Sequence, residues 1–350
     1  MGPVGEESVV LAERRGQLGR ITLNRPDAFN SINMAMWRAV DAAISDFDDD
    51  PAVTSIVVEG AGDKAFSAGG DLHALYGALT QGDFETPLAM VAAACTMSYR
   101  MRTLVTPTVA FLDGVVIGSG CSLAISASHR IATERTRFAM PEASIGFYPD
   151  GGAHYFLPRC PGETGMYLAL TGTRITAADA LYMGLATAYV PSDRLADLIG
   201  DLASGAAPDD VAAKFLEDAG TPTLPSHEEA IERCFSKSSV ASIVGALEDE
   251  GSDWAAHTVD TLSGKAPFSL ELTFRALRAG RGMGVEDSLI MENRLSARML
   301  GRSDFLEGIR TTLVDKGDTP TWRPANLADI NDAEVEACFA PLDGGDLVLP

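Results

Sequence analysis

The chain has 350 residues, enough for one large domain or two smaller ones. Apolar residues make up 46% and charged residues 22%, which excludes a mainly disordered chain and supplies a full core. Acidic residues outnumber basic ones 49 to 27, and the formal charge of −22 argues against nucleic acid or an anionic membrane as partner. A small anionic ligand stays open, because a local pocket can oppose the global field.

Val9–Glu13 and Gly19–Leu23 read as two short strands around a turn at Gly16. Residues 32–47 read as a helix, since Met36, Val40, Ala43, Ile44 and Phe47 recur at three- and four-residue steps. Pro51 stops it. Ser55–Glu59 and Thr108–Leu112 are β-branched or apolar runs that predict buried strands. Between them residues 86–104 look helical, with Pro87 in the first turn. Gly118–Ser126 predicts a helix of small residues, and Arg130–Thr133 another strand. Strands alternating with helices predict an α/β fold. After Pro191 the pattern changes. Residues 1–203 are read as the core, 204–225 as a loop or partly helical linker, and 226–350 as a helical region whose acidic end, from 326, frays.

The five cysteines form no CxxC pair and the five histidines no HExxH, so neither a disulfide framework nor a metal site is expected. The first residues lack the basic and apolar regions of a secretory signal. No apolar run approaches the ~20 residues of a membrane span. A cytoplasmic location, with no membrane partner, is the expectation.

Four segments can carry chemistry. Lys64–Leu72 contains Gly69-Gly70 before a helix start, where bare backbone N–H groups can meet a ligand. Without a ligand, Asp71 simply caps that helix. Asp113–Ser122 repeats the arrangement, and two such turns side by side can form an oxyanion hole. It matches neither GxGxxG nor GxSxG. Phe138–Gly152 places Glu142 and Asp150 in apolar surroundings, which favour general acid–base work; a capping or salt-bridging role for Glu142 and a capping role for Asp150 are equally open. The fourth, Asp304–Arg310 with Lys316 and Arg323, offers basic groups for a phosphate, or else a solvated helix face and C-terminal clamp.

In chain order, Ile21–Pro26, Lys64–Leu72, Asp113–Gly120, Phe138–Asp150, Tyr155–Arg159, Leu168–Gly172, Met291–Ser296, Asp304–Gly308 and Asp315-Lys316 together resemble the crotonase (enoyl-CoA hydratase/isomerase) superfamily. Within it, Met140-Pro141-Glu142, Pro149-Asp150 and the C-terminal pieces are similar to the 3-hydroxyisobutyryl-CoA hydrolase group. The resemblance implies a spiral core of repeated ββα units followed by a helical C-terminal region. It implies an acyl-CoA substrate with no further cofactor, metal or nucleic acid, and assembly into trimers or hexamers. It assigns the oxyanion hole to the N–H groups of Gly70 and Ser119, and catalysis to Glu142 and Asp150. Arg25, Ala28, Ala68, Asp71 and Leu72 fall on the CoA side.

Four positions depart from the family pattern. Ser119 replaces a usual glycine, and Asp27 stands where lysine is common. Ser122 replaces the second glutamate of hydratases, and Ala94 a glutamate that helps bind substrate in hydrolases. The implied activity is thioester hydrolysis. A hydratase or isomerase, and a non-catalytic CoA-ester binder, are the alternatives.

Overall fold

A computed structural model describes residues 8–350. Strands β1 (Val10–Arg15) and β2 (Leu18–Leu23) form the expected antiparallel hairpin, with Val10 opposite Leu23. Helix α1 (Met34–Asp48) starts where the Asn33 side chain accepts from the Met36 N–H at 3.0 Å. Its buried face is the predicted one with Trp37 added. β3 (Ser55–Gly60) lies parallel to β2, and β5 (Thr108–Leu112) parallel to β3. Their β-branched runs are buried because both faces of this sheet are covered.

Four strands were not expected, a short one at Ala188–Tyr189 and three that lie together. β4 (Ala65–Ser67), β6 (Val115–Ile117) and β8 (Arg137–Ala139) have three residues each and form a second, parallel sheet in the order β4-β6-β8. Three residues are too few to show alternation, so they read as loops. With β7 (His129–Ala132) and β9 (Ala188–Tyr189), the larger sheet runs β1-β2-β3-β5-β7-β9. The pairs β3-β4, β5-β6 and β7-β8 each give one strand to either sheet. The first two lead into helices α2 (Leu72–Thr80), α3 (Glu85–Thr103) and α4 (Ser119–Ile125). This is the spiral of ββα units.

Within 204–225 a helix, Pro208–Phe215, buries Val211 and Phe215. Beyond it the chain is mainly helical, as expected, and Pro267–Gly280 is one of its helices. These helices share the apolar core with the sheets: Ile231, Phe235 and Leu277 join the cluster built on Ile21 and Ile56. A second cluster joins Phe147 and Tyr148 to Phe268, Leu295 and Phe305. Burying a side chain such as Phe305 stabilises that junction by about 1.5–3 kcal/mol.

The fraying expected from residue 326 onward is corrected. Val335 and Cys338, three residues apart on and just after helix Asp332–Ala337, are buried, and Arg294 holds Asp346 at 2.6 Å. Acids around one short apolar edge had hidden it. Among the described residues no helix is long and apolar enough to cross a membrane.

Candidate active site

The second sheet places the site. β4 and β6 are hydrogen-bonded neighbours, so the turns that follow them lie side by side. Gly69 (φ 95°) and Gly118 (φ 55°) carry these turns in backbone conformations that side chains rarely adopt. A Cβ on Gly69 would stand 2.9 Å from the Ile117 carbonyl oxygen, and one on Gly118 3.6 Å from the Gly69 Cα. The next residues, Gly70 and Ser119, have backbone N–H groups without an acceptor among the described residues. Ser119 keeps its N–H where the family favours glycine. Its Oγ lies 3.7 Å from where a Gly70 Cβ would be.

β8 pairs with β6, with Ala139 opposite Ile117, so Glu142 emerges beyond the same sheet edge. It begins a 3-10 turn, Glu142–Ile145. A Cβ on Gly118 would be 3.2 Å from Glu142 Oε1, so a side chain there would crowd the carboxylate. Glu142 is 7% exposed, and neither carboxylate oxygen has a hydrogen-bond partner among the described residues. Leaving a buried polar group unpaired costs about 1–3 kcal/mol. A capping role would have supplied a partner, so this cost argues for a group kept for chemistry. Burial first, then the nearby Asp150, pushes its pKa up from 4.5 to about 8. Asp150 is pushed from 3.8 to about 7 by burial and then by Glu292.

The turn after Asp150 is gripped from three sides. Ser122 Oγ donates to the Asp150 carbonyl at 3.2 Å, and Ser98 Oγ to the Gly151 carbonyl at 2.8 Å. Gly151 has φ 64°, and a Cβ there would meet Ser122 Oγ at 2.0 Å. Glu292 accepts from the Gly152 N–H at 2.7 Å, on the far side of the turn. Ser122 thus holds the turn where a hydratase would carry its second glutamate.

Ala68, Gly70, Leu72, Ser119, Glu142 and Asp150 line one cavity of about 210 Å³. Arg25, Ala28 and Asp71 do not. Arg25 and Asp71 pair with each other at 2.9 Å, and Asp71 caps α2 by accepting from the Ala74 N–H. Ala28, itself half-buried, ends the otherwise exposed turn Pro26–Ala28. Ala94 lines the cavity with Pro87, Met90 and Val91 of α3, so that wall is apolar. Leu300, Phe305 and Thr312 close it from the C-terminal region. None of the basic groups of the fourth segment lines this cavity. Arg310 is consumed by Glu307, Asp315 and Asp318 at 2.8, 2.6 and 3.0 Å.

Sequence reasoning gave no role to Glu292, His154 or Ser98. Glu292 had a readable signal: it falls on the stripe of Ser288, Leu289, Leu295 and Met299, where a solvated acid does not belong.

The enoyl-CoA hydratase/isomerase family model matches residues 18–339. The chain belongs to the enoyl-CoA hydratase/isomerase family. Among relatives in this family, the protein named 3-hydroxyisobutyryl-CoA hydrolase, mitochondrial, of Danio rerio is 39% identical, over 98% of this chain and 92% of its own. The 3-hydroxyisobutyryl-CoA hydrolase 1 of Arabidopsis thaliana is 37% identical, over 99% and 96%. A solved carnitinyl-CoA dehydratase from Mycobacterium thermoresistibile superposes with a TM-score of 0.93 at 32% identity, covering 98% of this chain and 99% of that one. An enoyl-CoA hydratase from Rhodobacter sphaeroides 2.4.1 gives 0.92 at 34%, covering 98% and 100%. Family membership therefore spans hydrolase and hydratase names, and the choice of reaction rests on the site.

Proposed function

We propose that this chain hydrolyses 3-hydroxyisobutyryl-CoA, or a close β-hydroxyacyl-CoA, to the free acid and coenzyme A, a step suited to valine breakdown. The carrying observation is the unpartnered, buried Glu142 carboxylate beside the turns that bear the Gly70 and Ser119 N–H groups. The names of the Danio and Arabidopsis relatives support the same substrate.

In this reading the thioester oxygen accepts from both N–H groups, which favour the negative charge that develops on attack. As a base, Glu142 takes a proton from water while the water oxygen bonds to the acyl carbon. The carbon–sulfur bond then breaks, and the proton passes to the CoA sulfur. As a nucleophile, Glu142 bonds to the acyl carbon itself, CoA leaves, and water hydrolyses the resulting anhydride. A burst of free CoA, with the acyl mass left on the protein, marks the second route. No cofactor beyond the CoA of the substrate enters either one. The reading keeps a cytoplasmic location and a trimeric or hexameric assembly, to be checked by cell fractionation and light scattering.

The test is mass spectrometry of all CoA species after incubation with 3-hydroxyisobutyryl-CoA and, separately, crotonyl-CoA. Free CoA from the first and an intact second are expected. Hydrated crotonyl-CoA with little free CoA would make the chain a hydratase, and binding without turnover of either would make it a CoA-ester binder.

Asp150 is given the substrate hydroxyl. Asp150→Asn should lower kcat/KM for the 3-hydroxy ester by about 10- to 100-fold, and far less for isobutyryl-CoA. Equal losses on both esters would remove that role.

The pH profile follows from the two raised carboxyls, which titrate as a coupled pair. Glu142 acts in its ionised form, and its pKa lies above the usual carboxylate value. Activity therefore grows with rising pH. The limb of kcat/KM should fall between about 7 and 8 rather than near 4.5. A flat profile from pH 6 to about 9 would contradict it.

A further inference from the structure

Glu292 projects from the buried face of helix Val285–Met299 and is fully buried. Besides the Gly152 N–H at 2.7 Å, its carboxylate accepts from the His154 N–H at 3.0 Å and from His154 Nδ1 at 2.9 Å. His154 is also fully buried, and its Nε2 has no partner among the described residues. The hydrolysis described above uses neither residue. Packing alone does not call for a charge at this position, since an apolar side chain of similar volume would fill the helix face without desolvation cost.

All these bonds end on the backbone and ring of one turn. With the Ser122 and Ser98 contacts to the Asp150 and Gly151 carbonyls, they fix the turn and leave the Asp150 carboxylate untouched. We propose that Glu292 is a positioning residue for Asp150, holding the Asp150–His154 turn by three hydrogen bonds and setting a second buried carboxylate behind it. The inference rests on the role given to Asp150 above.

The titratable groups that face Asp150 are Glu142 from its 3-10 turn, Tyr148 and His154 from the flanking chain, Cys95 from α3, and Glu292. Burial first holds the Cys95 thiol and the Tyr148 phenol well above their ordinary ranges, so both stay protonated. Glu142, His154 and Glu292 remain as the groups whose charge bears on Asp150. A carboxylate behind Asp150 disfavours its ionised form. Removing that charge should therefore let Asp150 ionise at lower pH.

The experiment uses the full chain with ¹³C-labelled aspartate carboxyls, Asp150 being assigned by difference from Asp150→Asn. Carboxyl NMR titration needs no turnover. It is read beside kcat and KM on whichever ester the wild type converts. Glu292→Gln should move the Asp150 midpoint down by about half a pH unit or more. It should also lower kcat by about 10- to 100-fold while KM moves little. Glu292→Asp keeps the charge but shortens the reach, so kcat falls while the midpoint stays near wild type. An unmoved midpoint in Glu292→Gln overturns the proposal.

If Glu292→Gln does not fold, Glu292→Asp carries the test: it should cost about fivefold or more in kcat, and wild-type kcat there overturns the proposal. A shifted midpoint in a protein that releases no CoA would sink the hydrolase reading and leave the inference about Glu292 standing.

Discussion

Glu142→Gln is expected to abolish CoA release while leaving CoA-ester binding intact. Gln matches the shape of Glu but neither takes a proton from water nor attacks a carbonyl. General base catalysis contributes about 10²–10⁴-fold, so the fall in kcat should be of that order or larger. Binding should persist because the rest of the cavity lining is unchanged. Stability should rise slightly, since the variant no longer buries a carboxylate whose oxygens have no partner among the described residues. Single-turnover CoA release and isothermal titration with a CoA ester check both halves. Near-full activity in this variant would remove Glu142 from the chemistry altogether.

Ser119→Pro should be almost as damaging to rate and nearly silent in the fold. Ser119 is the first residue of α4, a position that tolerates proline because its N–H has no helical acceptor. The residue before it is Gly118 at φ 55° and ψ −127°, the mirror of an extended conformation, and glycine bears this ahead of proline. The substitution therefore replaces one N–H with the ring Cδ, which also takes up space facing the ligand, and leaves the backbone path unchanged. Losing one oxyanion donor costs about 3 kcal/mol of barrier, or roughly 10²–10³ in kcat. Ser119→Ala keeps the N–H and should stay close to wild type. If proline and alanine behave alike, the second donor lies elsewhere.

What the sequence discloses divides by length and by distance. α1, β3 and β5 were readable because each buries enough consecutive or periodic residues to leave a pattern. β4, β6 and β8 were not, and they are the strands that bring the two glycine turns and Glu142 to one edge. The two glycine turns and the pair Glu142 and Asp150 stood out as candidates from the residues themselves, with structural readings open; their roles came only from the resemblance. Arg25 and Asp71 pair with each other at 2.9 Å, a contact the motif did not announce. Glu292 is about 140 residues from Asp150 in the chain, a separation no local pattern spans.

The support that Glu292, Leu300 and Phe305 give the cavity sets the order in which the protein becomes competent. Glu142 leaves the ribosome about 150 residues ahead of Glu292, a lag of roughly 10–30 s at ordinary elongation rates. Through that interval the Gly70 and Ser119 turns and Glu142 are made, but the turn that carries Asp150 lacks its backing and the cavity lacks a wall. A chain cut short after residue 280 would keep both glycine turns, Glu142 and Asp150 yet lose the parts that hold them in place. Intact motifs in a fragment or a truncated gene product are therefore no sign of an active enzyme.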